Sequence, residues 1–326
     1  MLLIDGSRME GGGQIVRSAV ALAAISGTPL RITHIRSGRD RPGLAPQHIT
    51  AVRAVAQVCS AATTGLAPGS RELTFIPGHI GKRDIVLDVG TAGSISLVLQ
   101  AWLPVALKAG GSIMVTGGTE VHRSPTIDYL ARVLLPVLRA AGADIVMDIH
   151  ARGYYPQGGG RVGVQVRESD LSAIVPAGRG SSCQILSCSS ALPGHVADRQ
   201  LQSAEKILGK ACAGSLETRV FRQEGPGVGS SCTAWSGSLG SSACGRRGLP
   251  AEKVGADAAS PLQEELMAAI TVDLHLSDQL LIYCAEYGGR YTARTLTSHA
   301  ATHIWLLEQF NRQVSVDPGP PVEIAV

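Results

Sequence analysis

Apolar residues recur every three or four positions in several stretches of the chain, which is the spacing of a helix with one buried face. In the first stretch this spacing predicts a helix from Gln14 to Ser26. The helix ends at Gly27, because glycine suits the left-handed turn after a helix. A strand is predicted from Leu30 to Ile35, and a second helix from about Pro46 to Ala61. The N-terminal part of the chain is therefore expected to alternate helices and strands.

The same order of elements recurs twice further along the chain. The second stretch predicts a helix from about Ala92 to Lys108, a strand from Ser112 to Thr116 and a helix from Thr126 to Ala141. The third predicts a helix from about Asp278 to Glu286, a strand from Arg290 to Thr295 and a helix from His299 to Phe310. Two further strand patterns, 144–149 and 161–166, flank a glycine-rich turn as a hairpin. We interpret the chain as one α/β unit used three times.

The stretch from about Val175 to Leu266 has a different character and interrupts the third unit. It contains five of the seven cysteines and a Gly/Ser-rich run from Gly225 to Arg247. A run of this composition buries little apolar surface, so it is expected to be a mobile loop. Deletion of Gly225 to Gly240 is expected to spare the reaction of the protein with ATP. The predicted domains are a large one, 1–175 with 267–326, and a smaller inserted one, 176–266.

Composition narrows the class of protein without identifying it. The 326 residues are 44% hydrophobic, enough for a sizeable core, and the net charge of +3 does not by itself indicate nucleic-acid binding. No apolar run is long enough to cross a bilayer, and the first residues do not resemble a signal peptide. The odd number of cysteines and the absence of CxxC argue against zinc and favour free thiols in a reducing cytoplasm.

The first candidate site is the glycine-rich segment at the start of the first helix. Gly11 to Gly13 directly precede the helix, whose free N–H groups attract anions. Gln14 and Arg17 are three positions apart and share a helix face that can bind an anion. The carboxylate of Glu10 can hold Mg²⁺. The alternative is a tight turn into a helix with solvated charges.

Two loops add further candidate residues. Arg36, Arg39 and Arg41 fall on one Gly- and Pro-flanked loop, and the guanidinium group pairs well with phosphate oxygens. A solvated loop is the alternative for this cluster. The turn from Pro156 to Gly160 has three consecutive glycines, which a wide hairpin explains in part. A ligand close to the backbone would explain the rest.

The segment from Thr297 to His299 places a histidine at the start of a predicted helix. Thr297 or Ser298 can cap this helix, and its positive end favours a neutral imidazole at His299. A neutral imidazole can attack phosphorus, and Asp278 is expected to fix its tautomer by accepting a hydrogen bond from the other ring nitrogen. His303, one turn later, is the rival nucleophile.

These segments together resemble the RNA 3'-terminal phosphate cyclase family. The hairpin from Arg152 through Pro156 to Val162 matches the signature of that family in full. The other matching segments are, in chain order, 10–14, 36–47, 90–94, 117–119, 278–279 and the one around His299. The resemblance covers almost the whole chain, least clearly in 180–245. It implies three tandem βαβαββ-type repeats with a smaller α/β domain inserted in the third.

The resemblance also implies an activity, the ATP-dependent conversion of an RNA 3'-phosphate into a 2',3'-cyclic phosphate. The histidine that matches His299 would attack the α-phosphorus of ATP, and AMP would then pass to the RNA 3'-phosphate. The neighbouring 2'-OH would finally close the ring and release AMP. The expected partners are therefore ATP, a divalent metal (Mg or Mn) and RNA with a 3'-phosphate end, and an oligomer is compatible with the family.

The resemblance assigns roles to residues one by one. Arg17, Arg36 and Arg39 would neutralise phosphates, Glu10 would bind the metal, and Asp278 would assist His299. The residues implied in binding ATP or the RNA phosphates are Gln14, Gln47, Gln100, Pro125, His275, Leu276, Ser277, Asp278 and Gln279. Pro125 and His275 would sandwich the adenine. The family often has tyrosine at the position of His275, and an imidazole stacks with less area.

Two alternatives remain within the same fold. One is a cyclase-like RNA-binding factor in ribosome assembly, which lacks the catalytic histidine. The other is a small-molecule transferase on the repeated fold that enolpyruvyl transferases share. The presence of His299 and of the full hairpin signature favours an active cyclase.

Overall fold

A mixed four-stranded sheet occupies the N-terminal part of the structure, a computed structural model that describes residues 1–212, 214–225 and 227–326. Its elements are, in chain order, β1 (Leu2–Asp5), α1 (Gly13–Ser26), β2 (Leu30–Thr33), α2 (Pro46–Val58), β3 (Ala62–Thr64) and β4 (Leu73–Ile76). The strand order is β1–β2–β4–β3, with the first pair parallel and the other two antiparallel. A helix of 14 residues with a left-handed Gly27 at its end matches the predicted one closely.

The second sheet repeats this order and these strand directions. Its elements are β5 (Arg83–Asp88), α3 (Ile95–Ala106), β6 (Gly111–Gly117), α4 (Ile127–Tyr129), a π-helical turn (Leu130–Leu134), α5 (Leu135–Ala140), β7 (Ile145–Ala151) and β8 (Gly160–Val166). The order is β5–β6–β8–β7, and only β5 and β6 are parallel. The predicted hairpin around the glycine-rich turn is the pair of β7 and β8.

The third sheet lies in the middle segment of the chain. Its elements are β9 (Cys183–Ser190), α6 (His195–Leu208), β10 (Leu216–Gln223), β11 (Gly229–Ser236), β12 (Leu239–Cys244) and α7 (Ala251–Leu266). The order is β10–β9–β11–β12, and the pair of β10 and β9 is the parallel one. This sheet and its two helices enclose a separate cluster of buried apolar side chains that includes Ile185, Ala234 and Leu262.

The C-terminal sheet is smaller than the first two. Its elements are α8 (Leu274–Gln279), α9 (Leu281–Tyr287), β13 (Arg290–Ala293), α10 (Ser298–Gln309), β14 (Ser315–Asp317) and β15 (Val322–Ala325). The order is β13–β15–β14, and both pairs are antiparallel. A single parallel bridge joins Ile174 to Gly289, before β13. This sheet therefore does not reproduce the four strands of the other two within the described residues.

The main core joins the helices of the first, second and C-terminal sheets. Helix α1 packs against α2, α3 and α10, and the shared apolar cluster includes Phe75, Trp102 and Leu307. Packing of α1 against α10 brings together segments that are far apart in the sequence, and the site described below lies between them. The mixed α/β class is confirmed. None of the helices in the described ranges is long and apolar enough to span a membrane.

Two expectations for the middle segment are wrong. The Gly/Ser-rich run, of which Pro226 lies outside the described residues, is not a mobile loop, because it forms the antiparallel pair of β11 and β12. Several of its serines are buried, and some are hydrogen-bonded, as when Ser230 accepts a hydrogen bond from Gln200 at 2.6 Å. The cysteines are not all free thiols, because Cys183 and Cys212 form a disulfide and the other five are free.

Candidate active site

His299 lies in the first turn of α10, as the sequence predicts. The hydroxyl of Thr297 caps this helix by accepting a hydrogen bond from the backbone N–H of Ala300 at 3.0 Å. The cap fixes the direction of the first turn, and the imidazole is 51% exposed. His299 therefore combines a fixed backbone with a ring that solvent or a ligand can reach.

Two side chains from the N-terminal segment contact one nitrogen of this ring. Nδ1 of His299 lies 2.8 Å from Oε1 of Gln14 and 2.6 Å from Oε2 of Glu10. Both neighbours are hydrogen-bond acceptors, so Nδ1 carries a proton and donates it to them. In the neutral ring Nε2 then has a free lone pair, which makes it the candidate nucleophile.

Gln14 links His299 to Asp278, which is not the contact that the sequence predicts. The amide nitrogen of Gln14 donates to Oδ2 of Asp278 at 3.1 Å and to the backbone carbonyl of His299 at 3.3 Å. The prediction that Asp278 itself accepts a hydrogen bond from the ring is wrong, because the amide of Gln14 lies between them. Asp278 therefore orients Gln14, and Gln14 orients the imidazole.

The charge state of His299 also differs from the expectation. The helix start favours a neutral ring, but the hydrogen bond from Nδ1 to Glu10 raises the pKa of His299 above its usual value, against the effect of burial. The same contact is the main reason that the pKa of Glu10 is lowered. Glu10 and His299 therefore form an ion pair between the lowered pKa of Glu10 and the raised pKa of His299, and the neutral nucleophile appears as the pH rises above the latter.

The cation Arg17 and the carboxylate Asp278 also act electrostatically on the ring of His299. Burial lowers the pKa of Arg17 to about 10, an effect that the charges of Asp278 and Glu10 partly oppose. Burial raises the pKa of Asp278 to about 6, and the nearby His299 is the largest opposing influence. In the described part of the chain the guanidinium of Arg17 has no hydrogen-bond or ion-pair partner. It is thus held ready for an anion that arrives from outside.

Several of the predicted ligand-binding residues line one small cavity next to Arg17. They are Gln14, Arg17, Gln100, Asp278 and Gln279, together with His303. Nδ1 of His303 donates to the backbone carbonyl of Asp278 at 2.8 Å, and burial lowers the pKa of His303 to about 4. Nε2 of His303 and Oε1 of Gln279 are buried without partners among the described residues. His303 is therefore a buried neutral ring, whereas His299 is accessible.

The arginine loop reaches this site through one residue. Arg39 pairs with Oε1 of Glu10, and a Cβ at Gly12 would lie 3.0 Å from the guanidinium of Arg39. Arg36 instead donates to the carbonyl of Gly43 at 2.8 Å, and burial lowers its pKa. Arg39 thus lies at the carboxylate of Glu10, whereas Arg36 is held by its own loop.

Gln47 and His48 support the starts of two helices. Oε1 of Gln47 accepts a hydrogen bond from the backbone N–H of Ser94, the cap of α3, at 3.0 Å. Nε2 of His48 would lie 2.0 Å from a Cβ at Gly13, so only glycine fits at the start of α1. No local pattern in the sequence indicates this role for His48. Its buried position and the glycine opposite it are visible only in the folded chain.

The remaining predicted residues lie around α8. His275 is exposed, and its ring meets that of Tyr129 edge-on with centroids 6.2 Å apart. The side chains of Leu276 and Ser277 are buried, and Nε2 of Gln279 donates to the carbonyl of His275 at 2.9 Å. Pro125 is half-buried in the loop before α4. The adenine sandwich between Pro125 and His275 stays a prediction.

The glycine-rich hairpin owes its composition to close packing within the protein. A Cβ at Gly153 would lie 2.2 Å from the nitrogen of Gly160, and one at Gly158 would lie 3.0 Å from Cα of Ala92. Gly158 also has φ of +71°, a conformation that favours glycine. The hypothesis that a ligand close to the backbone accounts for these glycines is therefore not needed.

Arg152, at the start of this hairpin, is the centre of a buried ionic cluster. Its guanidinium donates to Oε1 of Glu120 at 2.7 Å and to both oxygens of Asp128 at 2.5 and 2.9 Å. All three side chains are buried, and burial raises the pKa of Glu120. Arg152 thus has a structural role in holding the hairpin to α4.

Glu10 fits a metal only in combination with ligands from a substrate. The described residues contain no group of three or more His, Cys, Asp or Glu side chains placed to hold a metal ion. Mg²⁺ typically uses one or two carboxylates and completes its shell with substrate phosphates and water. Both oxygens of Glu10 already face cationic or donor groups, Oε1 facing Arg39 and Oε2 facing Nδ1 of His299 at 2.6 Å, so a metal ion would share this carboxylate with them.

Comparisons with known proteins agree with the motifs. The family described as "RNA 3'-terminal phosphate cyclase" matches residues 8–316. Proteins with the same name from Methanosarcina barkeri and Methanosarcina acetivorans are 46% and 43% identical to the chain. The alignments cover 95% of this chain in both cases and 94% and 95% of the relatives. A third, from Nitrosospira multiformis, is 43% identical over 94% of this chain and 90% of its own length.

A solved structure of EPSP synthase from Acinetobacter baumannii aligns with 96% of this chain and 62% of its own, at 11% identity and a TM-score of 0.31. At that score it contributes no argument about the fold. The family match over most of the chain and the identities of 43–46% are decisive. The chain belongs to the RNA 3'-terminal phosphate cyclase family.

Proposed function

We propose that the protein is an ATP-dependent cyclase that converts an RNA 3'-phosphate into a 2',3'-cyclic phosphate. The observation that carries the proposal is the ring of His299, with Nδ1 held by Glu10 and Gln14 and Nε2 without a hydrogen-bond partner among the described residues. This arrangement suits nucleophilic attack on phosphorus, because the proton is held on Nδ1, Nε2 keeps its lone pair in the neutral ring, and the side chain is 51% exposed.

In the first step, Nε2 of His299 attacks the α-phosphorus of ATP. A P–N bond forms, the P–O bond to pyrophosphate breaks, and the proton stays on Nδ1, where Glu10 stabilises the cationic ring. Arg17 can bind the phosphates, because its guanidinium is free of partners in the described structure. Such transfers depend mainly on alignment and charge neutralisation.

In the second step, an oxygen of the RNA 3'-phosphate attacks the phosphorus of the histidine adduct. The P–N bond breaks and its electrons return to Nε2, so His299 is regenerated. In the third step, the ribose 2'-OH attacks the 3'-phosphorus, loses its proton and expels AMP. A 2'-OH is required as nucleophile, so RNA rather than DNA is the expected substrate.

Glu10 is proposed as the protein ligand of a divalent ion, Mg or Mn, that neutralises phosphate charge when it is bound. Arg36, Arg39, Gln47 and Gln100 are proposed to contact phosphates. Pro125, His275, Leu276, Ser277, Asp278 and Gln279 are proposed to surround the nucleotide. We also propose residues 176–266 as an inserted domain, and a cytoplasmic role in RNA processing.

The relatives' names do not favour the ribosome-assembly alternative, and the accessible His299 also argues against it. The proposed function is tested with an RNA oligonucleotide that ends in a 3'-phosphate, incubated with ATP and Mg²⁺. We expect the 3' end to become resistant to phosphatase, as a cyclic phosphate does, with release of one AMP per end. RNA that stays fully sensitive to phosphatase while the protein is folded would contradict the proposal.

A further inference from the structure

A buried carboxylate joins the middle segment of the chain to the helix that carries the proposed nucleotide residues. Asp273 immediately precedes α8 and is 1% exposed. Oδ1 accepts hydrogen bonds from the backbone N–H groups of His275 and Leu276 at 2.8 and 2.9 Å. This half of the carboxylate is the N-cap of α8.

The rest of the contacts of Asp273 come from elsewhere in the fold. The hydroxyl of Tyr129 donates to Oδ1 at 2.7 Å and to Oδ2 at 2.9 Å. The backbone N–H of Gly240, in β12, donates to Oδ2 at 2.8 Å. The carboxylate of Asp273 therefore connects Gly240 in the middle segment, Tyr129 in α4 and the start of α8.

The contact at Gly240 depends on close approach of β12 to the helix. A Cβ at Gly240 would lie 2.5 Å from Cγ2 of Val133 and 3.2 Å from Cε2 of Tyr129. The ring of Tyr129 also meets the imidazole of His275 edge-on. A displacement of β12 would thus be transmitted to Asp273 and Tyr129, and from both to His275.

We propose that Asp273 and Tyr129 are positioning residues that hold His275 and the following turn of α8 in place for ATP, with the hairpin of β11 and β12 as their support. The inference rests on the proposed function. It replaces the expectation that deletion of 225–240 spares the reaction with ATP, because that deletion removes β11 and the N–H group that Asp273 binds.

Two variants break this link in different ways. Asp273→Asn can keep Oδ1 as the helix cap, but its amide nitrogen then faces the N–H of Gly240, so two donors oppose each other. Tyr129→Phe removes only the hydroxyl that donates to Asp273 and adds no new polar group. If Asp273→Asn does not fold, Tyr129→Phe alone tests the inference. Ser172→Ala is the matched control. Its hydroxyl donates to the carbonyl of Ala141 at 3.1 Å, and this bond involves neither the hairpin nor α8.

The experiment measures labelling of the full-length protein by α-labelled ATP over a range of ATP concentrations, and separately the KM for RNA at saturating ATP. We expect Asp273→Asn and Tyr129→Phe to raise the half-saturating ATP concentration by about tenfold and about threefold, the size of lost hydrogen bonds. The KM for RNA should change by less than about twofold, because only ground-state binding of ATP is affected.

The results separate this inference from the proposed function. If the wild-type protein is not labelled at all, the proposed function fails. If the wild type is labelled and folded Tyr129→Phe has wild-type half-saturation by ATP, the inference is overturned. Equal increases in the KM for ATP and for RNA, or the same increase in Ser172→Ala, also overturn it, because the effect would then be a general loss of structure.

Discussion

Nδ1 of His299 lies 2.6 Å from Oε2 of Glu10, although the two residues come from opposite ends of the chain. The packing of α1 against α10 produces this contact, and Gln14 completes it from the first turn of α1. Because this contact holds the proton on Nδ1, Nε2 keeps the lone pair of the neutral ring. The charge state of His299 follows too, because the carboxylate stabilises the imidazolium.

The contact between His299 and Glu10 predicts how labelling by ATP depends on pH. Since the pKa of His299 is raised, the rate should fall as the pH drops through this raised value and the ring becomes protonated. Glu10→Gln removes the negative charge, so the pKa of His299 falls and the midpoint of the pH–rate profile should move to lower pH. Asp5→Asn is the control, because Asp5 lies in the same segment but pairs with His34 at 3.2 Å. An unchanged midpoint in Glu10→Gln contradicts the pairing.

Gln14→Ala tests the orientation of the ring. The variant loses the hydrogen bond to Nδ1 and the link to Asp278, so the rate of labelling should fall about tenfold without a large change in the unfolding temperature. Gln309→Ala is the matched control, since its amide donates to the carbonyl of Trp305 at the other end of α10. Equal rates in the two variants would show that Gln14 does not orient His299.

Arg17→Gln tests a guanidinium that is enclosed without a partner in the described structure. Because this cation makes no hydrogen bond within the described structure, its loss should leave the unfolding temperature the same or higher, while labelling falls by about a hundredfold or more. The unfolding temperature and the rate of labelling by ATP are measured on the same preparation of protein. A variant that unfolds several degrees earlier would indicate that Arg17 supports the fold instead of the phosphates.

How far the sequence predicts this site depends on the kind of interaction. The caps and bounds of α1 and α10 are close to the predicted ones, because glycine at position 27 and threonine at position 297 act locally. The partner of His299 is not predictable in this way, since Glu10, Gln14 and Asp278 are all polar residues near one another in space and only side-chain packing distinguishes them. The composition of 225–247 is misleading for a related reason. Buried serines such as Ser230 accept hydrogen bonds from distant residues, here Gln200, which no local pattern reveals.

Arg152→Met tests the role of the ionic cluster. Removal of the cation leaves Glu120 and Asp128 buried without it, so the free energy of unfolding should fall by about 3 to 5 kcal/mol. Arg167→Met is the control, because Arg167 pairs with Asp144 at the surface, where their side chains are 83% and 51% exposed. That change should cost less than about 1 kcal/mol. Denaturant unfolding of both variants makes the comparison, and similar losses would contradict a structural role for Arg152.

The central claim is that Nε2 of His299 forms a bond to the α-phosphorus of ATP. Mass spectrometry of the protein after incubation with ATP and Mg²⁺, without RNA and without acid, tests it most directly. We predict an added AMP on the peptide that contains His299, its absence in His299→Ala and its persistence in His303→Ala. An adduct that survives in His299→Ala, or one that maps to another residue, contradicts the claim.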